Sequence, residues 1–287
     1  MSTRILKTRI PFLLLVMSMA LSSCQEYNAA LKYGDTEYKY EVAKACYARG
    51  QYSHAQDMFS NLLVATKGSG YGEECLYLMA MSAYKYRDWE TAAATFRKYY
   101  QSYPQGLYTE EAHYYCGRSL FNSVPDPRLD QTMTSLSVAE LQSFLDAYPD
   151  THLKAQTQDM ILQLQDQLVK KELLAAQLYY DLGSYMLNCN FGGSNYEACI
   201  VTSENALRDF PYASAERREQ FRLLVLRSRY HLARQSIEEK RLERFRQTLD
   251  DYDFFYNEFP ESTFLREAQG YREKSQRALK GQVIEGD

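Results

Sequence analysis

Glycine and proline are scarce in this chain, 13 and 7 in 287 residues, and long stretches carry neither. A sheet-rich fold spends these residues at its turns, so their scarcity favours helices. Histidine is rarer still: His54, His113, His152 and His231 are scattered, and no two are spaced to set paired ligands on one helix face, which excludes the helical zinc signatures. His113 and Cys116 share a face, but two ligands do not make a metal site. No CxxC and no nucleophile elbow occurs, and Gly68-Ser-Gly70-Tyr-Gly72 lacks the strand before it and the Gly-Lys-Ser/Thr ending of a phosphate loop, which leaves a connector. These absences point to a protein that is not an enzyme, with no metal and no cofactor beyond a lipid. After residue 23 no apolar run approaches the roughly 18 residues of a membrane-crossing helix.

What is present begins at the N-terminus. Arg4, Lys7 and Arg9 precede an apolar stretch from Ile10 to Leu21, too short to span a bilayer but of the length of a secretory core, and it closes on Leu21-Ser22-Ser23-Cys24. This resembles the lipobox of bacterial lipoproteins, which implies removal of residues 1–23 as a signal peptide, with a diacylglycerol and an N-acyl chain on Cys24. Six cysteines become five when Cys24 is lipidated, so at least one stays unpaired. Cys46, Cys75 and Cys116 fall in helical patterns as core fillers. Cys189 and Cys199 flank a glycine-containing loop and are the one pair suspected of a disulfide. Formal charge is −8 over residues 24–207 and +3 over 208–280. No basic stripe suits nucleic acid, whereas the C-terminal arginines suit a charged protein partner.

Self-similarity recurs every 37 residues. Tyr40, Tyr77 and Tyr114 share this spacing, as do Glu37, Glu74 and Glu111, then Ala43, Ala80 and Gly117, then Tyr47, Tyr84 and Phe121. Ala55 with Ala92 and Phe59 with Phe96 extend it. Each unit reads as two helices joined at Gly50-Gln51-Tyr52 or Arg87-Asp88-Trp89, and this order of small, aromatic, alanine and phenylalanine positions resembles the tetratricopeptide repeat. Aromatic-proline pairs at 103–104, 148–149, 210–211 and 259–260 stop four of the second helices, since proline cannot continue a helix and turns its neighbour away from one. The expectation is an all-α solenoid of about five repeats. A linker over 24–32 leads to repeats 1–3 over 33–151, the third carrying an eight-residue insertion around Val124-Pro125-Asp126-Pro127. A connecting helix from His152 to Leu187, about 50 Å long, joins them to repeats 4 and 5 within 152–280, with Tyr180, Gly183 and Leu187 in the first-helix positions of repeat 4. A disordered tail over 281–287 closes the chain.

Glu37, Tyr40, Lys44 and Tyr47 form one stripe of the first helix, matched by Glu74, Tyr77, Met81 and Tyr84 and by Glu111, Tyr114, Arg118 and Phe121. In tetratricopeptide proteins this stripe faces the inner groove, which implies a tyrosine-lined channel for an extended peptide; the same tyrosines could instead only pack repeat on repeat.

Lipobox, short linker, five repeats and aromatic-proline stops together resemble the BamD family of outer membrane lipoproteins. The strongest local similarity runs from "YYDLGSYMLN" to "ENALRDFPYASAERRE". The resemblance implies a periplasm-facing scaffold of the β-barrel assembly machinery, anchored in the outer membrane by its lipid. It would hold unfolded outer membrane proteins through repeats 1–3 and dock onto a BamA-like barrel protein through its C-terminal half, beside other subunits of the machinery. The family's docking arginine corresponds to Arg217, with Arg218 beside it. Other tetratricopeptide lipoproteins, serving cell-wall synthesis or division or surface nutrient uptake, are the alternative.

Overall fold

The computed structural model describes residues 26–183, 185 and 194–283, and everything described is helix or connector. Cys24, Leu187 and Cys189 lie outside the described residues, so the lipidation site and the suspected disulfide do too. Among the described residues twelve helices follow one another: α1 (26–33), then α2 (Thr36–Ala48), α3 (Tyr52–Leu62), α4 (Gly72–Tyr86), α5 (Trp89–Ser102), α6 (Thr109–Asn122), α7 (Thr132–Ala147), α8 (Lys154–Leu182), α9 (Asn195–Asp209), α10 (Ala215–Arg234), α11 (Glu238–Glu258) and α12 (Leu265–Leu279).

Side-chain caps start several of these. Asp35 Oδ1 accepts from the Tyr38 amide at 2.8 Å, Asp88 Oδ1 from Thr91 at 3.2 Å and Ser214 Oγ from Arg217 at 3.2 Å, each satisfying an amide that has no partner inside its helix. The aromatic-proline stops share one geometry. Tyr103, Phe210 and Phe259 close α5, α9 and α11 with φ between −120° and −131° and ψ of 65–67°, outside the helical region, as a residue before proline must be. Their amides still bond back four residues, as does Tyr148 after α7.

Two compact units result. Among the described residues, the first holds those up to Val124 together with Thr132–Ile161, and the second holds Pro125–Gln131 together with those from Leu162 onward. In the first, α2–α3, α4–α5 and α6–α7 are the three repeats. Ala43 and Ala80 are fully buried, and the third repeat has Gly117 in their place. A Cβ on Gly117 would lie 2.5 Å from Leu141 Cδ2, so α7 lies closer to its partner than alanine allows. Tyr40, Cys46, Ala55, Phe59 and Cys75 share one core cluster, and Tyr77, Ala92, Phe96, Tyr99 and Cys116 another, which is the stacking of repeat on repeat that a short helical pair needs.

The expected connecting helix is real but shorter than 152–187. It runs 29 residues, about 44 Å at 1.5 Å each, and ends at Leu182, where Gly183 takes φ +47°. Its start stands in register with the earlier first helices. Thr151 bonds Tyr148, and Lys154 bonds Thr151, as Gly106 bonds Tyr103 and Thr109 bonds Gly106. The offset is 45 residues, the 37-residue period plus the eight-residue insertion. The end of α8 packs in the second unit: Val169 and Ala176 form a core with Cys199, Ala206, Phe221 and Leu224 of α9 and α10. Tyr180 of the expected fourth-repeat positions lies in α8, whereas Gly183 lies past it. A twelfth helix, unforeseen, covers the last repeat, with Ala268 packed on Leu223, Leu226, Tyr252 and Phe255.

Candidate functional site

The repeated stripe divides into a buried part and an accessible part. Tyr40, Tyr77 and Tyr114 are 3, 8 and 2% exposed, so these rings pack between helices. Their hydroxyls explain the repeated glutamates. Tyr40 donates to Glu74 Oε2, and Tyr77 donates to Glu111 Oε2 at 2.6 Å, so the tyrosine of one repeat is fastened to the glutamate of the next. Burial and then the glutamate bond push both phenols up from their ordinary value, which keeps them neutral donors. Glu73 and Glu110, one residue earlier, bind forward instead: Glu73 Oε1 accepts from Tyr99 Oη at 2.5 Å and from the Leu107 amide at 2.7 Å, and Glu110 Oε1 accepts from Thr151 Oγ1 at 2.6 Å. Glu37, with no preceding repeat, is exposed.

Tyr47, Tyr84 and Phe121 are half-buried. Tyr47 meets Tyr52 edge-on at 5.7 Å and 66°, and the equivalent pair Tyr84 and Trp89 repeats this at 5.3 Å and 67°. Half-buried Tyr115 adds an edge contact to Tyr84 at 5.0 Å and stacks on Phe96. Tyr115 lies outside the 37-residue set singled out in the sequence, and only its place beside the repeated Tyr114 hinted at it.

Between the second and third repeats lies a polar knot that no short motif announces. Glu140 of α7, with its side chain only 11% exposed, accepts from Arg97 Nη2 at 2.7 Å and from Tyr100 Oη at 2.8 Å. His113 stacks on Tyr100 at 4.3 Å, with its Nε2 3.7 Å from Glu140 Oε1. Burial raises the Glu140 carboxyl, but the bonds from Arg97 and Tyr100 help outweigh it and hold the group below its ordinary value. Burial lowers His113, against the pull of Glu140. Burial and Glu140 push the Cys116 thiol far up, so it is no nucleophile; its Sγ donates to the Ala93 carbonyl at 3.3 Å. Among the described residues no group of three histidine, cysteine or acidic side chains could hold a metal ion.

In the second unit α10 is the hub, and its arginines already meet carboxylates of the chain itself. Arg217 makes a two-point ion pair with Asp166 of α8, Nε to Oδ1 at 3.0 Å and Nη2 to Oδ2 at 3.1 Å. Arg218 and Arg222 both approach Glu258 of α11, at 3.5 and 3.1 Å. Arg227 forks onto Glu267 of α12, and Arg229 bridges Asp251 and Glu204. Five arginines of this helix are thus engaged in tying α8, α9, α11 and α12 to α10. The forked geometry favours arginine over lysine there. Arg218 keeps a buried Nε that has an ion-pair neighbour but no hydrogen bond.

No described helix is long and apolar enough to cross a membrane. The family model YfiO, described as outer membrane lipoprotein, matches residues 34–190, more than half of the chain and all of α2 to α8. The putative outer membrane protein assembly factor BamD of Aquifex aeolicus (strain VF5) is 28% identical over 123 residues. That match spans 42% of this chain and 40% of the relative's length. With the three stacked repeats inside the matched span, the chain belongs to the YfiO family of outer membrane lipoproteins.

Proposed function

We propose that this protein is a non-enzymatic scaffold for outer membrane protein assembly. It is held at the membrane by lipid on Cys24, faces the periplasm, binds unfolded barrel proteins along its first unit and docks onto a BamA-like barrel protein through its second. The observation that carries the reading is the family match over residues 34–190, joined to the name of the Aquifex aeolicus relative. The half-buried row of Tyr47, Tyr84, Tyr115 and Phe121 supports the peptide-binding part, because tyrosine offers contact area at small entropic cost and a hydroxyl for backbone groups. In this reading the rings of Tyr40, Tyr77 and Tyr114 set the spacing of the row while their neighbours touch the client. Glu37, Glu74 and Glu111 lie at its edge.

Docking through Arg217 and Arg218 has to draw on cations that already have internal carboxylates. A partner acid would share Arg217 with Asp166, whose side chain is 50% exposed. The test of the whole reading is affinity purification of the tagged, lipidated chain from detergent-solubilised envelopes, with partners identified by mass spectrometry. A stoichiometric barrel protein with repeated periplasmic domains is the expected partner. Recovery of cell-wall enzymes or nutrient-uptake proteins in its place would overturn the assembly reading.

A further inference from the structure

The tyrosine ladder ends on an incomplete rung. In the first rung three groups meet: Tyr40 donates to Glu74, and Lys44 Nζ lies 3.4 Å from Glu74 Oε1 and 3.5 Å from Tyr40 Oη. In the second rung Tyr77 meets Glu111, and Met81 replaces the cation. The third rung has both tyrosine and cation. Tyr114 and Arg118 stand where Tyr40 and Lys44 stand, with Arg118 Nη1 3.3 Å from Tyr114 Oη. The acid's position, carried forward by the 45-residue register of α8, falls on Gln156, an exposed amide. Among the described residues no carboxylate is bonded to Arg118, whose polar contact is Tyr114 alone, and the Tyr114 hydroxyl accepts from Arg118 without an acceptor for its own proton. A buried phenol with an unaccepted proton beside a half-exposed guanidinium is a donor pair lacking its acid. The half-buried ring of Tyr115, in edge contact with Tyr84, lies next to it.

We propose that Tyr114 and Arg118 form a carboxylate-binding subsite at the end of the groove, which takes an aspartate or glutamate side chain of the bound peptide. The proposal rests on the peptide-groove reading. A side-chain carboxylate is the favoured occupant because the chain itself seats a glutamate side chain on Lys44 and Tyr40, and another on Tyr77, in the two equivalent rungs.

The experiment measures binding of fluorescein-labelled, C-terminally amidated 12-residue peptides of alternating tyrosine and serine to the full chain in detergent. One peptide carries a central glutamate, one a glutamine there, and a third carries the glutamine but ends in a free carboxylate. The native protein is expected to bind the glutamate peptide about tenfold more tightly than the glutamine peptide, the scale of one charge-assisted hydrogen bond. Arg118→Gln erases that preference, whereas Arg118→Lys keeps part of it. Gln156→Glu supplies the missing acid within the chain, so it too erases the preference and raises the melting temperature. Equal binding of the first two peptides by the native protein overturns the subsite and leaves the groove standing. A preference for the free chain end over the glutamate peptide overturns the side-chain assignment. Failure of every peptide to bind overturns the groove reading, and the subsite with it. Circular-dichroism melts of each variant confirm that it folds.

Discussion

Arg87 stands with φ +66° at the helix end where the preceding repeat has Gly50 at φ +77°. A left-handed residue costs an ordinary side chain about 1–2 kcal/mol, partly offset because glycine has more freedom to lose on folding. Arg87→Gly is therefore expected to raise stability by about 0.5 kcal/mol, read as a higher denaturant midpoint at unchanged slope. Gly117→Ala acts in the opposite sense: the added methyl meets Leu141, and a loss of about 1–3 kcal/mol is expected from overpacking. Tyr77→Phe removes one rung and leaves Glu111 to solvent, at about 1 kcal/mol. A Tyr77→Phe variant as stable as the native protein in urea melts would show that the rung contributes nothing. The sequence made the tyrosines and glutamates visible as two separate 37-residue series. That one series donates to the other did not show, because each bond crosses to the next repeat and has no local sign.

At the scale of the element, the knot on Glu140 makes the junction of α5, α6 and α7 sensitive to acid. His113 is buried with its folded value below the ordinary one near 6.5, so around that pH the unfolded chain binds a proton that the folded chain refuses. Stability then falls as pH drops below about 6.5. Glu140 is held below its ordinary value, so its contribution is present above about 4.5 and is lost only as pH falls through the depressed value. Thermal melts at pH 7, 6 and 5 should show a falling melting temperature, and His113→Gln should flatten the slope between 7 and 5. An unchanged slope would mean that His113 does not carry it. Helix positions and their aromatic-proline ends were readable because period and proline act locally. The Glu140 knot was not, since Arg97 and Glu140 lie 43 residues apart. The arginine pairs of α10 were missed for the same reason, with Arg217 and Asp166 separated by 51 residues. Charge counting therefore suggested a charged protein partner for the C-terminal arginines and showed none of their acids within the chain.

For the whole molecule, the internal pairing of Arg217 alters how docking should be probed. Reversing its charge would set two carboxylates against each other on α8 and α10, and lost docking would then report damage as readily as lost contact. Arg217→Gln together with Asp166→Asn separates the two. Docking through the guanidinium predicts that the first weakens recovery of the barrel partner, while the second, which frees the cation, preserves or strengthens it. Anchorage gives a simpler outcome: Cys24→Ala should move the protein from the membrane fraction to the soluble one, and retention in the membrane would mean that something other than lipid holds it.

The rung geometry also bears on how such a chain could lengthen over generations. Tyrosine and acceptor glutamate always stand 34 residues apart, across the boundary between one repeat and the next. An in-frame duplication of residues 72–108 would therefore arrive already bonded on both sides: Tyr40 would meet the glutamate of the first copy, the first copy's Tyr77 the glutamate of the second, and the second copy's Tyr77 would meet Glu111. No hydroxyl or carboxylate of the rungs themselves would be orphaned by the event. The third repeat, with its longer connector and its arginine-tyrosine end, has no such freedom, so growth of this solenoid by gene duplication is confined to the repeats ahead of its terminal rung.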